Sequence, residues 1–224
     1  MNFSLQYIIV LHLILKVTQT NTLFIYIYTI NMKQYIITLA FSLISSICFA
    51  QSSEHLAFKG VPIDGTLNEY VTKMKQNGFT QVQTEDGTAI LTGDFAGYKD
   101  CYIGVSTLKQ KDLVHKIAVV FPEKETWSYL SSNYRDLKTM LTEKYGEPIT
   151  VIEKFDDSTL IVDDNSKMMQ VKLDNCKYYS IWETGKGDIQ LSIEHNGVTS
   201  CFIKLGYFDK INGYKIKDTA KDDL

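Results

Sequence analysis

A single arginine, Arg135, stands in a chain of 224 residues. Guanidinium forks are the usual tool for bidentate recognition of phosphates and base edges, so this scarcity argues against a nucleic-acid partner. Acid is missing from one whole region. Residues 1–50 hold Lys16 and Lys33 and neither aspartate nor glutamate, so all 26 acidic side chains lie further on, in a body that is net acidic. No C-x-x-C pair occurs, which removes zinc ribbons and thioredoxin-type redox sites. No G-x-S-x-G occurs either, so the strained nucleophile turn of the α/β-hydrolases is absent. Gly185-Lys186-Gly187 lacks a following helix and reads as a loop between strands rather than a phosphate cradle.

Long apolar runs are lacking too. Leu5–Leu15 is broken by His12 and ended by Lys16, and Thr22–Ile30 is shorter still. Neither reaches the roughly 20 residues that span a bilayer. Met32-Lys33 is followed by the apolar block Tyr35–Ile47 and then by Cys48-Phe49-Ala50. A lone positive charge, a short apolar stretch and a small residue at the cut are the parts of a secretory signal peptide. The expected organisation is an upstream segment 1–31 from a start assigned too early, a signal peptide 32–50 cleaved after Ala50, and one body 51–224. Within that body, lobes 51–122 and 123–214 and a flexible tail 215–224 are expected. The alternatives are a membrane anchor built from the two early stretches, or lipidation at Cys48. The expected address is periplasmic or secreted, with no membrane span after cleavage.

Cys101, Cys176 and Cys201 survive that cleavage, an odd number for an oxidising compartment. At most one disulfide is possible, and three pairings are open. Cys201 alternates with Ile203 and Leu205, and Cys101 with Ile103 and Val105. Both are therefore expected as buried free thiols.

The body opens with a short strand within His55–Ile63. Thr66 and Glu69 form a capping box, and Leu67, Tyr70, Val71 and Met74 then make one apolar helical stripe that stops at Asn77-Gly78. Four strands are expected next: Phe79–Glu85, Thr88–Phe95, Asp100–Leu108 and Leu113–Phe121. Asp86-Gly87 supplies a tight turn between the first two. In the fourth, Leu113, His115, Ile117, Val119 and Phe121 share one face. A longer helix follows near Thr126, with Trp127, Leu130, Tyr134, Leu137, Leu141 and Tyr145 in its stripe. Ser131-Ser132-Asn133 predict a break or irregular start in its first half. Six strands are then expected: Ile149–Phe155, Thr159–Asp163, Lys167–Leu173, Lys177–Glu183, Asp188–His195 and Val198–Phe208. Asn196-Gly197 marks a hairpin, and the tail Asp209–Leu224 is expected to fray after Tyr214. The fold class is α+β, an antiparallel sheet with two main helices, in which helix-then-meander occurs in tandem.

Phe58-Lys59-Gly60-Val61-Pro62-Ile63-Asp64-Gly65-Thr66-Leu67 opens a pattern continued by Glu69-Tyr70, Lys73-Met74-Lys75 and Gly78-Phe79. Thr92-Gly93-Asp94-Phe95, Lys144-Tyr145-Gly146-Glu147-Pro148 and Gly187-Asp188-Ile189 extend it. This pattern resembles uncharacterised exported proteins of gut Bacteroidetes over most of residues 58–208, and the resemblance implies an exported protein without implying an activity. The order of elements is also similar to the tandem plan of β-lactamase-inhibitor proteins, a likeness of plan alone.

His55, His115 and His195 lie far apart in sequence and have no His or Cys at metal-ligand spacing. No metal and no cofactor are expected, and no catalytic residue can be named. Asp156-Asp157 and Asp163-Asp164 read as solvated turns. Asp163-Asp164-Asn165-Ser166 lacks the spacing and closing glutamate of an EF-hand. What is unusual is aromatic: ten tyrosines, seven phenylalanines and two tryptophans lie beyond residue 50. Tyr98, Tyr102, Tyr178, Tyr179 and Tyr207 fall on strands or at turns and are the candidate binding residues, since exposed rings on a sheet stack sugars or anchor proteins. The expected function is a non-catalytic binding or interaction module of a Gram-negative envelope, with a protein, small-molecule or glycan ligand. The alternatives are an envelope hydrolase pairing His115 or His195 with a carboxylate of the Asp156–Asp164 region, or an inhibitor-like protein.

Overall fold

The computed structural model describes residues 54–108, 111–156 and 163–221. The expected signal peptide and upstream segment lie outside these residues. Strands β1 (Ala57–Phe58) and β2 (Val61–Pro62) form a minimal hairpin in place of the one strand expected. Its turn is Lys59-Gly60, both at positive φ (51° and 78°), the backbone that a two-residue loop demands.

Helix α1 (Leu67–Gln76) starts where the capping box places it. Thr66 Oγ1 accepts from the Glu69 amide, and Glu69 Oε2 accepts from the Thr66 amide at 3.0 Å. The expected stripe Leu67, Tyr70, Val71 and Met74 is the buried one. Strands β3 (Thr80–Glu85), β4 (Thr88–Phe95), β5 (Tyr98–Leu108) and β6 (Lys111–Val120) then run as an antiparallel meander. Two-residue turns at Asp86-Gly87 and Ala96-Gly97 join the first three, so β5 begins at Tyr98.

Helix α2 (Trp127–Tyr145) is continuous through Ser131-Ser132-Asn133, where a break was expected. Ser131 is buried there and its hydroxyl donates to the Ser128 carbonyl one turn back, so the weak helix former is satisfied within the helix. Strand β7 (Thr150–Phe155) leads to helix α3 (Asp164–Lys172), which replaces the strand expected at Lys167–Leu173. The acidic tetrapeptide read as a turn is its cap: Asp163 Oδ1 accepts from the Ser166 amide at 2.7 Å, and Ser166 Oγ accepts from the Asp163 amide at 2.9 Å. Met168 and Val171, three apart, are the apolar residues it buries. Of the strand expected at Thr159–Asp163, residues 159–162 lie outside the described residues.

Strands β8 (Cys176–Thr184), β9 (Gly187–Asn196) and β10 (Ser200–Asp209) complete the sheet. The segment expected to fray is instead helix α4 (Lys210–Lys221). Eight strands form one antiparallel sheet in the order β3-β4-β5-β6-β10-β9-β8-β7. Each half is a helix followed by four strands, with α3 inserted in the second half. The last strand of each meander pairs with the other at the centre, Val119 opposite Leu205 and Ile117 opposite Tyr207. The core lies on one face of this sheet, where Leu91, Ile103, Val119, Leu205, Leu191 and Trp182 pack under residues of α1, α2 and α3. The α+β class expected from the sequence is the observed one.

Candidate functional site

Sheet alternation sends every second side chain to the face opposite the core, and no described helix lies over the middle of that face. Cross-strand partners there form transverse rows. One row carries Gly104, Ala118 and Gly206 on adjacent strands, flanked by Ile90 and Gln190. Three consecutive strands thus carry almost no side chain of their own in this row, which is low over Gly104 and Ala118 and is covered at Gly206 by the Phe208 ring. The neighbouring row carries Tyr102, Val120, Lys204, Ser192 and Tyr179. Tyr102 and Tyr179 stand four strands apart, about 19 Å at ordinary strand spacing.

Of the five candidate tyrosines, these two alone stand on the uncovered face, and Tyr102 is 55% exposed. Of the other three, Tyr207 is a core residue, and Tyr98 and Tyr178 are partly buried against the core. Tyr207 is buried with its ring edge-on to Phe58 at 5.4 Å, Tyr178 packs edge-on to Trp127 and Tyr134, and Tyr98 packs edge-on to Phe121. Burial raises the phenol pKa at all three. The alternation that separates Tyr178 from Tyr179 puts one inside and one outside, and residue type alone does not say which.

Phe208 divides the face into two cavities. Its ring folds over Gly206, where a Cβ would sit 2.8 Å from the ring edge, and the Lys116 ammonium lies 5.0 Å from the ring centroid. On one side is a pocket of about 120 Å³ lined by Lys116, Gln190, Ser192, Glu194, Lys204 and Gly206. Ser192 donates to Glu194 Oε1 at 2.7 Å. Among the described residues no carboxylate pairs with Lys116 or Lys204. Burial and, after it, the nearby Lys204 charge hold the Lys116 pKa below the ordinary lysine range.

On the other side is a groove of about 320 Å³ between the sheet and α4, lined by His115, Glu183, Asp188, Phe208, Tyr214 and Lys217 among others. His115 does not share a face with Ile117 and Val119, as its spacing suggested. The β5–β6 register shifts between Thr107–Val114 and Ser106–Lys116, so His115 is an extra residue, and Val114 and Ile117 are both buried although three apart. Its Nδ1 is buried without a hydrogen bond. Burial, then Lys116, lowers its pKa.

The acids expected as its partners are engaged elsewhere. Asp156 pairs with Lys177, Asp163 caps α3, and Asp164 accepts from the Ser128 amide and hydroxyl at 2.9 and 2.6 Å. Asp157 lies outside the described residues. His195 sits at its hairpin, with Nδ1 2.9 Å from the Gly197 carbonyl and Nε2 3.8 Å from Asp174.

A polar clasp that the sequence did not announce ties the two ends of the body together. His55 Nδ1 lies 3.0 Å from Asp209 Oδ1, and its Nε2 lies 3.6 Å from Asp64. The buried Asp209 also accepts from the Leu56 amide, and from the Asn212 amide at the start of α4. Asn212, fully buried, donates to the Ile63 and Val114 carbonyls and to Asp64. With carboxylates facing both imidazole nitrogens, the arrangement suits a structural clasp better than a nucleophile–base pair. Asp209 followed three residues on by Asn212 was the one local sign of it, a helix cap inside a segment read as tail.

The thiols are no richer in chemistry. Cys101, Cys176 and Cys201 are all free. Burial pushes Cys101 to about 11 and Cys176 to about 12, and raises Cys201 as well. Among the described residues no group of three His, Cys, Asp or Glu side chains is placed to hold a metal ion, and no helix is long and apolar enough to cross a membrane.

In comparison with known proteins, no family model, no curated protein and no solved structure matches this chain.

Proposed function

We propose that the protein is an exported, non-catalytic binding module of a bacterial envelope, and that it works through the uncovered face of its sheet. The observation that carries this is the low row Gly104–Ala118–Gly206, bordered by Tyr102 on one flank and Tyr179 on the other. Side chains elsewhere on a sheet surface fill the space above it. Here Gly104 and Ala118 leave that space to something else, the Phe208 ring closes it over Gly206, and two rings with polar tips stand on the same face. The signal-peptide pattern at 32–50 supports export, and the resemblance to exported gut Bacteroidetes proteins agrees with it.

The test begins with the protein recovered from fractionated native cells. An intact mass starting at Gln51 in the soluble envelope fraction is the expected result. Retention of residues 1–50 in the membrane fraction would replace export with anchoring. That material is then screened against envelope proteins and glycans, with Tyr102→Ala and Tyr179→Ala beside it. Each substitution is expected to weaken capture of a bound partner by about tenfold or more while leaving the folded spectrum unchanged. Capture that survives both substitutions would move the binding surface elsewhere.

A hydrolase is the second reading, and the α4 groove favours it, since His115 lines it together with Glu183 and Asp188. Turnover of an envelope substrate, abolished by His115→Asn, would put that reading first.

A further inference from the structure

Two lysine side chains, one on each side of the low row, line one pocket. Lys204 stands one row to one side, opposite Val120, and Lys116 one row to the other, opposite Phe208. Their Cα atoms are about 14 Å apart along the strands, yet both line the same 120 Å³ pocket. Lys116 is steered there by the Phe208 ring, on whose face its ammonium rests at 5.0 Å. Like charges brought together in a half-buried place repel, and each loses hydration it would have kept elsewhere. Neither ammonium has a carboxylate partner among the described residues. Glu194 lines the pocket but accepts from Ser192.

We infer that the Lys116–Lys204 pair is a clamp for an oxyanionic group, a carboxylate, phosphate or sulfate, seated between the two side chains beside the Phe208 ring, with Ser192 at its rim. This rests on the uncovered face being the binding surface and names the chemistry recognised there. The Phe208 ring, folded over Gly206, forms one wall of the pocket. The two ammoniums supply charge-assisted donors, while the one hydrogen of the Ser192 hydroxyl is given to Glu194. A bound anion would relieve the repulsion between the lysines and bring the Lys116 pKa back up. A pocket of this size takes a single head group, so specificity for the rest of a ligand belongs to the flanking tyrosines.

The experiment is an amide-resolved NMR titration of the protein as recovered from cells, using sodium phosphate, sulfate or acetate with ionic strength held constant by chloride. Saturable shifts confined to Gly206, Ser192, Lys204 and Lys116 are expected with at least one of the three. The ratio of acetate to phosphate affinity tells whether the clamp prefers a planar or a tetrahedral group. Lys204→Gln is expected to weaken binding by about tenfold or more. Glu194→Gln removes a like charge from the rim and is expected to strengthen it by about threefold.

The opposite signs keep the test decisive even if one lysine variant folds poorly. Chloride matching the oxyanions, or a Glu194→Gln variant that binds no better, would overturn the clamp. Either result would leave the proposed binding module standing, because that depends on Tyr102 and Tyr179.

Discussion

At the scale of single residues, Asn212 and His115 occupy the same end of the sheet and answer to opposite pressures. Asn212 is wholly buried and feeds two backbone carbonyls, Ile63 and Val114, that have no route to water. Asn212→Ala strands both, and a loss of about 3 kcal/mol in denaturant unfolding is expected. A loss below about 1 kcal/mol would mean that the clasp is ornamental. His115 gains nothing from its charge. Burial and then Lys116 oppose protonation, and the nearby Leu113 and Ser106 carbonyls and Asp209 offset this only in part. The unfolded chain therefore takes up the proton first. The contribution of His115 to stability is complete above the ordinary histidine range near 6.5 and is lost as pH falls through it, levelling off below the folded pKa. His115→Asn is expected to flatten the urea midpoint between about pH 7.5 and 5 relative to the parent. A steeper acid-side fall in the variant would contradict this.

At the scale of elements, turn chemistry and helix caps decide the outcome. The β8–β9 turn shows how tightly the pieces meet. Thr184 Oγ1 accepts from the Lys186 and Gly187 amides, Gly187 takes φ 152°, and any Cβ on it would collide with the Phe208 carbonyl. Gly187→Ala is expected to cost about 3 kcal/mol, read as a drop in melting temperature. Gly185→Ala two residues earlier, where a Cβ meets nothing, is the matched control.

Elements with two agreeing local signals were legible in the sequence. Helix α1 had both a capping box and a 3.6-residue stripe, and the Asp86-Gly87 hairpin had a turn dipeptide between alternating strands. The misread elements had one signal that competed with another. Lys167–Leu173 mixes apolar and polar residues in a way compatible with a strand, and the Asp163–Ser166 cap was outweighed by its resemblance to an acidic turn. In β6 the bulge at His115 breaks the two-residue period that made the strand readable at all. Which tyrosines face outward depended on register, and register is set by pairing between strands distant in the chain.

At the scale of the whole molecule, tandem order in the sequence became one sheet because the two meanders join through their last strands. That topology places β6 between β5 and β10, and β9 between β8 and β10. The cysteine-bearing strands are thus never neighbours. Cα atoms two strands apart are about 9.6 Å from each other, beyond the reach of a disulfide. All three possible pairings fail for the same reason. Alkylation under denaturing, non-reducing conditions is expected to add three equivalents to residues beyond 50, and an addition of one would mean that a disulfide forms against this geometry. Where the binding surface lies followed from the same topology. Gly104, Ala118 and Gly206 are unremarkable in sequence, separated by as many as 102 positions, and only the β5–β6–β10 adjacency lines them up.

The clasp also fixes an order of events. Residue 55 is among the first of the body to be synthesised, and Asp209 and Asn212 are among the last, yet each buries polar atoms that the other must satisfy. The hairpin β1–β2 therefore leaves polar atoms unsatisfied until α4 has been made. A nascent chain stalled before residue 209 is left with an open seam, accessible to proteases and chaperones. For a protein that crosses a membrane N-terminus first, as proposed here, that delay is an asset. The chain stays threadable while it is being translocated, and locks when its final helix arrives.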